Sequence, residues 1–183
     1  MKKLSKKLIL LGLVASMGTT MVACGDKEEP KEDVVVEQEA EETEEHTHLL
    51  PFEWTAVADF KDGEYTAKFK KNEGEGTVNI GFLKVTDGED FHDVEHHGIH
   101  MMDHESKKDH FHLGEHFHAE HEYAYEIDTE GETGEVKFEI KEGSYHVFFE
   151  HLPEEFDFEI VDAEGEKVEF RDAKTYEAGS ELE

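Results

Sequence analysis

From Phe52 onward the sequence alternates apolar and polar residues with a period of two, and that pattern commits most of the chain to strands. Phe52, Trp54, Ala56, Ala58 and Phe60 form the first run, and Lys61-Asp62-Gly63-Glu64 reads as a hairpin turn. Tyr65, Ala67 and Phe69 resume the alternation. After a polar turn from Lys70 to Gly76, Val78, Ile80 and Phe82 give a third strand reaching Val85. Later runs are Tyr123, Tyr125, Ile127; Val136, Phe138, Ile140; Tyr145, Val147, Phe149; Phe156, Phe158, Ile160; and Val168, Phe170. About seven or eight short strands separated by turn signals predict an all-β domain over residues 51–171. The expected form is a single antiparallel β-sandwich, immunoglobulin-like, with a small barrel as the alternative. The aromatic residues on these runs are its expected core, and residues 172–183 read as a polar, disordered tail.

One stretch interrupts the strands. Residues 87–118 are an insertion between the third and fourth predicted strands, and ten of the fourteen histidines lie between His92 and His121. His92, His96, His100 and His104 recur every four residues, which on a helix makes one stripe with Cβ atoms ~5–6 Å apart. Asp93 and His97 form a second such pair. With Gly98 in mid-stripe the free helix is expected to be marginal, so the insertion reads as partly helical, or disordered until metal orders it. The second half alternates instead: His110-Phe111-His112 and His116-Phe117-His118 place two rings on one side of an extended chain. His121 falls in phase with Tyr123 and Tyr125, which predicts an inward-facing ligand at the start of the fourth strand.

These ten histidines are the candidate metal ligands, because neutral imidazole is the commonest protein ligand and carboxylates complete or orient its shell. Accessory candidates are His46, His48, Asp93, His146 and His151. His146 alternates with the inward set and is expected to face solvent; His151 shares the inward phase near Pro153. Imidazole suits Zn²⁺ first, with Ni²⁺ and Cu²⁺ following. Cys24 is the sole cysteine, which excludes a disulfide framework and a thiolate cluster.

The first two dozen residues carry a targeting pattern. Lys2, Lys3, Lys6 and Lys7 precede an apolar run from Leu8 to Ala23, too short to span a bilayer as a helix. The run ends in Met21-Val22-Ala23-Cys24, which resembles the lipobox of bacterial lipoproteins. That resemblance implies removal of residues 1–23, lipidation of Cys24 and an extracytoplasmic domain held at the cell membrane, or at the outer membrane in a Gram-negative envelope. Residues 24–50 follow as a tether. Eleven acids between Asp26 and Glu45 cannot bury enough apolar area to offset chain entropy, so a solvated spacer is expected.

With 48 acids against 18 bases and a formal charge of −30, the chain is unsuited to nucleic acid and suited to cations. The histidine-rich stretch resembles those of bacterial zinc-acquisition proteins, including the substrate-binding lipoproteins of metal ABC transporters. It implies metal capture, buffering or delivery to a transporter, although those proteins are larger α/β molecules. The second function class is an adhesin-like or carbohydrate-binding interaction module whose histidines sense pH. An enzyme is not expected. His92-Asp93-Val94-Glu95-His96 resembles the inverted zincin order HxxEH, but the helical body that supports such a site has no counterpart in this β pattern.

Overall fold

The structure is a computed structural model, and it describes residues 49–103 and 106–182. Ten strands and two helices follow in chain order: β1 (Trp54–Phe60), β2 (Gly63–Phe69), β3 (Thr77–Lys84), α1 (Phe91–Met102), β4 (Asp109–His112), β5 (His116–His118), β6 (Tyr123–Asp128), β7 (Gly134–Ile140), β8 (Gly143–Phe149), α2 (Pro153–Phe156), β9 (Glu159–Asp162) and β10 (Arg171–Thr175). They form a six-stranded sheet ordered β10-β1-β8-β3-β6-β4 and a four-stranded sheet ordered β5-β7-β2-β9. The chain is mostly β, as the alternation predicts. Among the described residues no helix is long and apolar enough to cross a membrane.

Both sheets feed one core. Phe60 and Phe82 from the larger sheet meet Phe138 from the smaller at ring-centroid distances of 6.2 and 5.2 Å, and Phe149 stacks on Phe158 at 4.3 Å. Each of these rings is buried, so the inward positions of the strand runs were placed correctly by phase. The pairings are antiparallel except at β4–β6 and β5–β7, which are parallel. A purely antiparallel arrangement was expected. The difference arises because β4 and β5 belong to the insertion and approach sheet edges that the hairpin-connected strands leave open.

The larger sheet is buried on its outer face as well, and this the alternation did not reveal. Leu83, Ala124 and Phe148 point away from the main core into a second cluster with Val94, Ile99, Met101 and Met102 of α1. Helix α1 starts at Asp90, whose Oδ1 accepts the Asp93 N–H at 3.0 Å. Its apolar residues Phe91, Val94 and Met102, with Gly98 between them, repeat at helical spacing and face the sheet, leaving the histidines on other faces. Gly98 is required by that packing: a Cβ there would collide with the Phe148 ring. The helix expected to depend on metal therefore has a packing face of its own, and tertiary burial supplies what propensity lacks.

The polar tail is also a correction. β10 pairs with β1, Leu49 bridges Glu181, and the Tyr176 hydroxyl donates to Glu95 Oε1 at 2.7 Å. Every residue of β10 is exposed, so no apolar period marked it; backbone pairing at an open edge holds it. Val168 and Phe170, expected as a strand, are partly buried against the core outside any strand.

Candidate metal centre

The alternating half of the insertion forms two short edge strands, one on each sheet. Phe111 is partly buried and Phe117 fully so, and their rings lie 5.1 Å apart. Phe117 stacks on Tyr125 at 4.2 Å and on Phe138 at 5.5 Å. Because successive strand side chains point to opposite sides, each buried phenylalanine turns its two flanking histidines outward together. The phenylalanines anchor; the histidines are presented.

Parallel pairing then selects the carboxylates. Across β4–β6, His110 stands opposite Glu126 and His112 opposite Asp128. His112 Nδ1 is 3.3 Å from Asp128 Oδ2, and His110 Nε2 is 3.8 Å from the same oxygen. At a Zn–N distance of ~2.0–2.1 Å, two ligands of a tetrahedral ion stand ~3.3–3.4 Å apart. The three side chains are therefore close to a chelating arrangement, with one ligand atom from each within 4.8 Å of the others. His110 Nδ1 lies 2.7 Å from Glu126 Oε1. A carboxylate there holds the proton on Nδ1 and leaves the Nε2 lone pair directed at Asp128, the outer-shell arrangement usual for metal-bound histidine.

Three further hydrogen bonds stiffen the segment that carries the histidines. Glu115 Oε2 accepts the His112 N–H at 2.7 Å, tightening the turn between β4 and β5. The Tyr125 hydroxyl donates to the His118 carbonyl and accepts the Glu120 N–H, both at 2.8 Å. Burial pushes Tyr125 up to about 12, so it stays a neutral donor in this role.

The chain matches no known protein family, no curated protein and no solved structure. What the site can do rests on its geometry.

The other candidates disperse. His92 and His96 are neighbours on α1, with ring centroids 4.7 Å apart, and Asp93 beside them gives only its backbone N–H to Asp90 Oδ1 at the helix start. His97 Nδ1 lies 3.0 Å from Glu122 Oε1. His100 is exposed near the end of α1, and its carbonyl accepts the Ser106 hydroxyl at 2.5 Å. His116 and His118 face Glu139 on β7, Nε2 and Nδ1 lying 3.9 and 3.1 Å from its oxygens. Cys24, His46, His48 and His104 lie outside the described residues.

Two placements, His121 and His146, differ from expectation, and a third, His151, keeps its inward phase. His121 is exposed in the turn before β6, because Glu122 takes a left-handed φ of 59° and breaks the alternation. Its Nδ1 accepts the Lys84 N–H at 3.1 Å, which puts the neutral ring's proton on Nε2 and leaves no lone pair for a metal. His146 is buried rather than solvent-facing, since α1 covers that face; its Nδ1 has no hydrogen-bond partner, and burial holds its pKa below the ordinary value. His151 is half-buried against Phe156 at 5.4 Å, a packing role.

Sequence reasoning missed Glu126, Asp128 and Glu139. Each lies outside the histidine run, and its relevance depends on which strand pairs with which. Their outward phase on β6 and β7 was legible; their partners were not.

Proposed function

We propose that this chain is a lipid-anchored, extracytoplasmic protein whose two-sheet β-sandwich captures transition-metal ions, Zn²⁺ first and Ni²⁺ or Cu²⁺ next, through its histidine-rich insertion. The observation that carries the reading is the register of β4 against β6, which sets His110 and His112 over Asp128 with Glu126 behind the first ring. Two imidazoles and one carboxylate are a donor set suited to Zn²⁺ that leaves a coordination position for water or an exchanging ligand. An exposed, partly coordinated site favours uptake and release over permanent storage, in keeping with buffering or delivery to a membrane transporter. The acidic chain, at −30, raises the local cation concentration, and the Met21-Val22-Ala23-Cys24 motif supports anchorage through lipidated Cys24.

Calorimetric titration with Zn²⁺ at about pH 7.5 and about pH 5.5 tests this, since imidazole must be deprotonated to bind. Saturable binding at the higher pH, weakened at the lower and by His110→Ala with His112→Ala, is the expected result. Zn²⁺ binding unchanged in that double variant would remove the site from the reading.

A further inference from the structure

The His-Phe-His pattern occurs a second time, on the other sheet. Phe117 is 3% exposed and reaches the same core as Phe111, so His116 and His118 leave β5 on the outer side of the four-stranded sheet. β5 runs parallel to β7, with Phe117 opposite Phe138 and His118 opposite Glu139. Glu139 is exposed between buried Phe138 and Ile140, so it points the same way as the two rings. His118 Nδ1 is 3.1 Å from one carboxylate oxygen, His116 Nε2 is 3.9 Å from the other, and the ring centroids are 5.3 Å apart.

The contacts follow those of the first site more loosely: there both rings meet Asp128 Oδ2, whereas here they meet different oxygens of Glu139, and among the described residues only the first set gathers within 4.8 Å. In both, the second histidine of the pattern offers Nδ1 to the carboxylate directly opposite, and the first offers Nε2 to that same carboxylate. We propose that His116, His118 and Glu139 form a second, separate transition-metal site. It rests on the metal-binding reading given above and extends it from one ion to two. The two histidine pairs stand on edge strands of different sheets, and among the described residues no residue of the second pair joins the group formed by His110, His112 and Asp128, so the proposal gives each pair its own ion.

The second site is the weaker. Behind His110 stands Glu126, whose carboxylate fixes the tautomer. The residue opposite His116 is Lys137, whose ammonium reaches Glu64 at 3.0 Å. A cation in that position disfavours a second positive charge, and no carboxylate at the same register orients the His116 ring.

The test is a Zn²⁺ titration of the full-length chain followed by the imidazole ¹H–¹⁵N resonances, repeated in Glu139→Gln and in His116→Ala with His118→Ala. The expected result is two successive responses, His110 and His112 first and His116 and His118 at higher Zn²⁺, the second shifted about tenfold or more by Glu139→Gln and abolished in the double variant. The second site is overturned if His116 and His118 stay silent while His110 and His112 respond, which leaves the first site standing. If His116 and His118 respond while His110 and His112 do not, the first assignment falls and this one is upheld. The exposed positions of these side chains leave the fold unaffected, and the wild-type titration is informative by itself.

Discussion

His112 faces Asp128 across a parallel strand pair, with Nδ1 3.3 Å from the carboxylate Oδ2. Asp128 serves as an acceptor for the Glu130 N–H through its other oxygen, at 2.9 Å, so the carboxylate is held in place by its own backbone turn. Asp128→Asn removes the anionic donor, whereas Glu126→Gln only loosens the His110 ring. Outer-shell changes cost about 10–100-fold in metal affinity. Glu126→Gln is therefore expected to weaken Zn²⁺ binding by about tenfold and Asp128→Asn by more, as read by competition with a zinc indicator. Equal affinities in both variants and the wild type would rule out this carboxylate pair.

Phe117 links the site to the core. Truncating a buried phenylalanine costs about 3–5 kcal/mol, so Phe117→Ala is expected to lower the melting temperature markedly. Phe111→Ala, at a partly buried position, is expected to cost less. Thermal unfolding of the two variants side by side checks the order, and Phe117→Ala should also reduce Zn²⁺ binding, because the ring anchors His116 and His118 directly and packs on Phe111, 5.1 Å away, which anchors the other pair.

Gly98 and Gly81 mark where α1 presses on the sheet. A Cβ at Gly98 meets the buried Phe148 ring, while one at Gly81 meets the flexible end of Met101. Alanine ordinarily gains about 1 kcal/mol over glycine inside a helix, but overpacking costs about 1–3 kcal/mol. Gly98→Ala is expected to be net destabilising. Gly81→Ala, relieved by a methionine rotamer, is expected to be milder, and urea unfolding midpoints distinguish the two.

His146 makes stability depend on pH. Burial lowers its folded-state pKa below the ordinary 6.5, with Glu89 opposing that shift and Arg171 adding to it. The unfolded chain therefore binds the proton first. The His146 contribution is fully present above about pH 6.5 and is lost as pH falls from there through the depressed folded value. In chelator-treated protein, His146→Leu is expected to lose less stability than wild type between about pH 7.5 and about pH 5.5, followed by Trp54 fluorescence. Parallel pH dependence in the two proteins would show that this ring does not titrate on unfolding.

Much of this molecule was legible in its residues. The two-residue period located β1, β2, β3, β6, β7 and β8 and their core faces, because side-chain direction in a strand is fixed by the backbone; of the run Phe156, Phe158 and Ile160 only Ile160 lies in a strand, since Pro153–Phe156 form α2. The four-residue recurrence located a helix beginning beside His92, and the His-Phe-His alternation located two rings on one side of an extended segment. What the residues alone do not show is an environment that a neighbouring element imposes. His146 follows the outward phase, yet α1 lies over it. β10 shows no apolar pattern, because pairing along an edge needs only backbone groups.

By itself the sequence determined that this is an acidic, strand-rich chain carrying an insertion of histidines in helical and alternating spacing. Those are local properties, set by periodicity and composition. Only the tertiary structure decided which carboxylates meet which rings. Glu126 and Asp128 come to His110 and His112, and Glu139 to His116 and His118, through parallel pairings between segments that the sequence separates. Register across strands is set by the packing of Phe111 and Phe117 into a shared core, a property of the assembled sheets that no single stretch of the chain contains.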